Sequence, residues 1–232
     1  MLVCKKGSID YKADNYQAVI AMPEEGQIIY AKNSSTVKNS ELKGQSVKDF
    51  LAAVEAAKAN ERKTIKSTDI VAYASPEGPE KFNNELSDSR SNSAQKAFNK
   101  VTKKAPIDAP VNVKSVGEDW EGFQALVANS NLEDKDLILR VLSMYSDPAV
   151  REQEIRNMSA VYTTLAKDVL PGLRRARFIA NVEFTNYSSE ELLKLVDENI
   201  DVLDEEALLR AATLVKCENK AAIYKKAIEK YS

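Results

Sequence analysis

The chain has 232 residues, 44% of them hydrophobic and 29% charged, with 33 basic and 35 acidic side chains and a formal net charge of −2. This balance suits one or two globular domains and gives no basic stripe for nucleic acid. Histidine is absent, which excludes Ser-His-Asp and Cys-His catalysis and zinc sites that need imidazole; two cysteines rule out a disulfide framework by count.

Residues 1–15 read as a polar lead-in. Leu2-Val3-Cys4 echoes a lipoprotein cleavage site, but no hydrophobic region precedes it. The expectation is that any export signal or anchor is absent from this chain. Cys4 and Cys217 lie far apart; pairing and a free Cys4 both stay open. The longest apolar runs fall far short of the ~20 residues that span a bilayer.

Tyr16–Met22 reads as a strand. Gln27–Ala31 reads as a better one, preceded by a Glu24-Glu25-Gly26 turn. Asn33–Leu42 is a polar loop. From Ser46, Val47, Phe50, Leu51 and Val54 fall at helical spacing, predicting a helix to about Ala59.

Asp69–Ala74 is the next strand, and it leads into the stretch around which the chain is organised, Ala72–Arg90. Ser75-Pro76-Glu77-Gly78 reads as a turn. Asn83 or Asn84 then opens a helix that carries Leu86, Arg90 and Ala94 on one stripe and runs to Val101. A strand feeding a glycine-containing loop and a helix makes a recess lined with backbone N–H groups, and an arginine in that helix can face it. The recess reads as ligand-holding, not catalytic. The plain alternative for Arg90 is an arginine paired with Glu77, Glu80 or Asp88.

Val111–Val116 alternates as a third strand, ended by Gly117. Asp119 then caps a helix bearing Trp120, Phe123 and Val127, with Trp120 as a core anchor. Another helix starts at Asp134 or Lys135. Asp147-Pro148 opens a single helix with Ile155, Met158, Tyr162, Leu165 and Val169, ended by Pro171-Gly172. Ala176–Phe184 is the clearest strand and should close the sheet. Three short helices follow at about 189–198, 205–216 and 219–231. The fold class is therefore α+β (mixed α/β), with an all-α tail.

The central stretch resembles the OmpA-like, peptidoglycan-binding domain family. Its signature runs Gly-His-Thr-Asp, two residues, Gly, four residues, Asn, two residues, Leu-Ser, two residues, Arg-Ala. This chain supplies Ala72-Tyr73-Ala74-Ser75, Gly78, Asn83, Leu86-Ser87 and Arg90-Ser91 in the same register. Leu173-Arg174-Arg175-Ala176 is similar to the family's last strand entry, and Gln27–Val37 to its first strand and loop. The resemblance implies a βαβαβ…β sandwich over 16–186, with a helical insertion at about 119–170 and a tetratricopeptide-like tail over 187–232, for which the alternative is a plain helical cap on the sheet domain. It looks like a variant branch of the family with Ser-Pro-Glu-Gly in the loop.

What the resemblance implies is non-enzymatic anchoring of an outer-membrane protein to peptidoglycan, with no cofactor, at the periplasmic face of the outer membrane. Arg90 stands where the family holds the carboxylate of the stem peptide's diaminopimelate. Ser75 replaces the aspartate that holds its ammonium, and Glu77 is the expected substitute. Tyr73, Ser75, Glu77, Gly78, Asn83, Arg90 and Arg174 are the candidate ligand-binding residues. The competing expectation is an envelope scaffold that keeps the fold, has lost peptidoglycan binding, and engages other envelope proteins through its helical tail.

Overall fold

The computed structural model describes residues 15–231, so Cys4 and most of the lead-in lie outside the described residues. The chain divides into two units: Ala21–Glu183, and residues 15–20 together with those from Phe184 onward. The expected boundary put Tyr16–Met22 in the first unit. Tyr16 instead packs on the apolar cluster of the last helices, and its hydroxyl donates to the Tyr187 carbonyl at 2.6 Å.

The sheet contains β1 (Val19–Ala21), β2 (Glu24–Ile29), β3 (Lys63–Ala74), β4 (Val111–Glu118) and β5 (Arg175–Thr185). Its order is β1-β5-β3-β4, and β2 also pairs with β5. The sheet is mixed, since β2 runs antiparallel to β5 and β3 parallel to β4. β5 was expected to close the sheet; it lies inside it. Both its faces suit that place: Ala176, Phe178, Ala180 and Val182 are buried, while the alternate residues from Arg175 to Glu183 are half-buried.

Two helices cover one face, α2 (Gln45–Ala59) and α3 (Glu80–Val101); α1 (Asn39–Leu42) is a short turn before them. Helical spacing in α2 buries Val47, Phe50, Val54 and Ala57. Phe50, Phe98 and Phe178 meet with ring centroids 5.4–6.3 Å apart, joining α2, α3 and β5 at the centre of the core. Small residues at Ala72, Ala94, Ala97, Ala176 and Ala180 let helix backbones come close to the sheet.

The Glu24-Glu25-Gly26 segment was expected as a turn but lies within β2. Gly26 is what allows α2 to lie against that strand: a Cβ there would sit 2.6 Å from the Phe50 Cβ and 2.9 Å from the Ser46 carbonyl oxygen. Neither atom is the free end of a side chain. Gly26→Ala should therefore cost about 2–3 kcal/mol through forced separation of α2 and β2. Gly172→Ala is the control, because its Cβ would make ordinary contact at 3.5 Å. Equal melting temperatures for the two variants would refute this account of the packing.

Between β4 and β5 the chain forms α4 (Trp120–Ala128), α5 (Lys135–Met144), α6 (Pro148–Asn157) and α7 (Ser159–Asp168), then a 3-10 turn at Leu170–Leu173. Asp119 caps α4 by accepting from the Gly122 N–H, and Asp147 caps α6 from Ala149 and Val150. The single helix expected after Pro148 is broken at Met158, whose φ −85°, ψ 70° leave the helical region. Ile155 before the break and Leu165 after it bury in one cluster with Phe123, Val127, Ile138 and Leu170. The apolar spacing is the same on both sides of Met158, so periodicity alone conceals the bend.

After β5 come α8 (Ser189–Glu198), α9 (Glu205–Leu214) and α10 (Cys217–Tyr231). Ser188 and Glu191 form a capping box at α8, and Asp204 caps α9. Ala207, Ala211 and Ala212 pack with Leu192, Leu203, Leu208 and Ile223 in this unit's own core.

Candidate functional site

The strand, loop and helix of Ala72–Arg90 form as expected, with adjusted limits. β3 ends at Ala74, and α3 begins at Glu80 with Pro79 as its N-cap. Asn83, expected to open the helix, is instead inside its first turns. Between the elements, Glu77 N–H donates back to the Ser75 carbonyl at 2.8 Å, a three-residue turn. Gly78 follows with φ +97°, a conformation that demands glycine. Its N–H donates to the Glu152 carboxylate of α6.

The turn aims the Glu77 carboxylate inward, where its side chain is 6% exposed. Oε1 accepts from Ser75 Oγ at 2.8 Å and from Arg174 Nε and Nη2 at 3.0 and 2.8 Å. Oε2 accepts from Lys32 Nζ at 2.9 Å. Burial pushes Glu77 up, but Lys32, Ser75 and Arg174 together outweigh it and hold the carboxyl below its ordinary range. The two oxygens are held differently. Arg174 is nearly buried, whereas the Lys32 side chain is 59% exposed. Oε1 is therefore fixed, and Oε2 rests on a cation that can leave.

This carboxylate borders a cavity of about 180 Å³ lined by Lys32, Asn33, Gly78, Phe82, Arg156 and Tyr162, among others. Arg156 adds a second exposed cation, paired with Glu152 and stacked 5.6 Å from the Tyr162 ring centroid. The structure thus brings Ser75, Glu77, Gly78 and Arg174 together. Asn83 supports them from behind: its Nδ2 donates to the Glu77 carbonyl and to Glu118 Oε1 at 2.8 Å.

Arg90 and Tyr73 are elsewhere. Arg90 was expected to face the recess and receive a carboxylate. It is fully buried, and its guanidinium donates to the carbonyls of Ser34, Tyr73 and Ala31 at 3.0, 2.9 and 3.2 Å. Nor does it pair with Glu77, Glu80 or Asp88. It also stacks on Tyr30, with Cζ 5.0 Å from the ring centroid. Burial lowers its pKa to about 10, opposed by Tyr30. The residues it ties down bracket the recess: Ala31 and Ser34 flank Lys32 and Asn33, and Tyr73 precedes Ser75. Arg90 is a positioning residue here. Tyr73 alternates onto the opposite sheet face, where the Arg175 guanidinium lies 5.5 Å from its ring centroid.

Sequence reasoning missed Lys32, Glu152 and Arg156. Glu152 and Arg156 lie on α6, inside the inserted helices, and no spacing rule links that helix to the loop after β3. Lys32 had one available signal, its place directly after the strand resembling the family's first.

No protein-family model matches the chain, and no curated protein is similar to it.

Proposed function

We propose that Ala21–Glu183 is a non-enzymatic, OmpA-like envelope domain that holds the diaminopimelate of a peptidoglycan stem peptide in the recess around Glu77. The observation that carries this reading is the asymmetric hold on the Glu77 carboxylate. Arg174 and Ser75 fix one oxygen, while the other rests on the exposed ammonium of Lys32 beside an open cavity. A ligand's primary ammonium is the same chemical group as Lys32 Nζ and can replace it. Lys32, once released, and Arg156 then stand ready for the ligand's carboxylate. The carboxylate-binding role thus passes from Arg90 to these exposed cations. On this reading the domain works at the periplasmic face of an outer membrane, and the helices after β5 form its tetratricopeptide-like tail.

Co-sedimentation with purified insoluble cell wall tests this. The wild type should pellet, and free meso-diaminopimelate should release it. Glu77→Gln should cut retention by roughly tenfold or more, the loss of one charge-assisted contact. Arg156→Ala should weaken it by several-fold. Lys32→Met should weaken retention less than Arg156→Ala, because the loss of its contact with the ligand carboxylate is offset by the place it vacates on Glu77 Oε2. A wild type that stays in the supernatant sinks the reading.

A second reading has its own observation. Arg90, the signature arginine, is buried and donates to three backbone carbonyls, while α10 exposes Tyr224, Ile228 and Tyr231 along one stripe. These line a hollow of about 340 Å³ with Leu209 of α9. The domain is then an envelope scaffold, with the wall site lost and the tail as its working surface. Wall binding by the isolated wild type decides between the two.

A further inference from the structure

The opposite face of the sheet holds a larger groove, about 730 Å³, whose lining includes Tyr73, Asn112, Lys114, Val116, Glu118 and Trp120. It lies beside β4, the last strand in the sheet order, with no strand on its outer side among the described residues. An edge strand presents an unused row of backbone donors and acceptors. β4 is also the most exposed of the longer strands, and its side chains are unusual for an edge. Val111 and Val113, whose register with Thr68 and Ile70 puts them on the helix-covered side, are each 38% exposed. Val116 is 44% exposed. Apolar surface is therefore left uncovered along the edge.

The groove side is charged in a definite pattern. Lys114 stands mid-strand. Beyond Val116, Glu118 and Glu121 line the groove's end. Glu118 is half-buried and held only by neutral donors: Asn83 Nδ2 at 2.8 Å on Oε1 and Trp120 Nε1 at 2.8 Å on Oε2. Burial pushes it up, those two bonds oppose the shift, and the nearby Glu152 and Glu80 add to it. A half-buried carboxylate without a cation is an unsatisfied charge that a basic ligand group would neutralise. Arg151, the cation at that end, is committed to the carbonyls of Tyr145 and Leu142 and lies over the Trp120 ring. Asp119 is likewise committed, to Arg175 and the Gly122 N–H.

We propose that β4 accepts an added strand from an extended peptide with alternating apolar and charged residues. Its backbone pairs with the free edge. Its apolar residues cover Val111 and Val113 on one side. On the groove side, a basic residue beside Val116 reaches Glu118 and Glu121, and an acidic residue faces Lys114. This is strand addition, in which main-chain bonds give affinity and alternate side chains give specificity. The site meets the Glu77 recess at Asn83, whose Nδ2 bonds both the Glu77 carbonyl and Glu118 Oε1, but its test is a peptide titration that involves no cell wall.

The probe is the peptide Ac-Val-Lys-Val-Glu-Val-Lys-Val-NH2, which reads alike in both directions and so puts a lysine beside Val116 whichever way it pairs. Trp120, the chain's single tryptophan, lines the groove and reports occupancy by its fluorescence. Titration should give a saturable change. The charge-inverted peptide Ac-Val-Glu-Val-Lys-Val-Glu-Val-NH2 should bind at least about tenfold more weakly. The probe N-methylated at alternate residues, in either phase, should lose binding in the phase that blocks pairing. Glu118→Gln should weaken binding about five- to tenfold, with circular dichroism showing the variant folded at the temperature of the titration. Lys114→Glu should reverse the central preference, so that Ac-Val-Lys-Val-Lys-Val-Lys-Val-NH2 binds more tightly than the original probe. No saturable change, equal affinity for the inverted peptide, or indifference to N-methylation in both phases would each overturn the proposal.

Discussion

Arg90→Met should destabilise Ala21–Glu183 by about 4 kcal/mol, the largest effect expected for any single substitution in this domain. The guanidinium is fully buried and supplies hydrogen bonds to the carbonyls of Ala31, Ser34 and Tyr73. Methionine keeps much of the volume and the contact with Tyr30 but leaves three partly buried acceptors without their donors. Each such acceptor costs about 1–3 kcal/mol unless water reaches it. Arg90→Lys should lie between wild type and methionine. It preserves charge, but its donors radiate from one atom and cannot span carbonyls on β3 and on the segment after β2. Urea unfolding measures the cost, and proteolysis around residues 31–34 should show that segment released first. If Arg90 were instead a ligand-facing arginine, methionine would leave stability almost unchanged and remove only wall binding. The variants therefore separate a tie between the recess walls from a ligand contact.

The difference between these two roles for Arg90 shows what a linear sequence reveals. The stripe Leu86, Arg90 and Ala94 and the turn Ser75–Gly78 are local features, fixed by helical period and by glycine's access to positive φ. Both were legible. Which way an arginine on that stripe is used depends on what stands opposite it, and here that is the backbone of residues 31–34, far away in the chain. The same holds for the Glu77 carboxylate. Its loop was readable, but the residues that hold it come from after β2 and from the entry to β5. The strand β5 was legible from strict alternation, yet its central place was not, because alternation reports two environments and not the identity of the neighbours. Gly26 was read as a turn signal when its function is close approach of α2. The serines of α3 lowered its apolar signal. In the structure Ser87, Ser91 and Ser93 bond back to carbonyls three residues earlier, and Ser87 also receives the Gly117 N–H. Ser87 thereby joins helix to sheet with a polar contact that no hydrophobic pattern contains.

Glu77→Gln should cost about 2–3 kcal/mol at neutral pH, and that difference should disappear in acid. The substitution removes the charge that compensates Arg174, whose side chain is only 13% exposed, and weakens the hold on Lys32. Breaking a largely buried pair leaves a stranded charge, so the loss exceeds what an exposed pair would give. The sign of the pH dependence follows from the direction of the shift. Burial alone would raise Glu77, but Lys32, Ser75 and Arg174 prevail and its folded pKa lies below the ordinary glutamate range. A carboxylate depressed on folding contributes stability that is fully present above its unfolded pKa. That stability is lost as pH falls through the folded value. The wild type should therefore exceed Glu77→Gln in urea stability from neutral pH down to the unfolded pKa, and the two curves should converge below it. Glu118 is shifted the other way, so a Glu118→Gln comparison should show the opposite trend, with wild type losing ground as pH rises through the raised pKa. Wall retention adds a second readout for Glu77. If its ionised carboxylate holds a ligand ammonium, retention of the wild type should fall in the same acidic window in which its stability advantage is lost. Retention that persists unchanged below that window, on folded protein, would detach ligand binding from Glu77 while leaving its structural role intact.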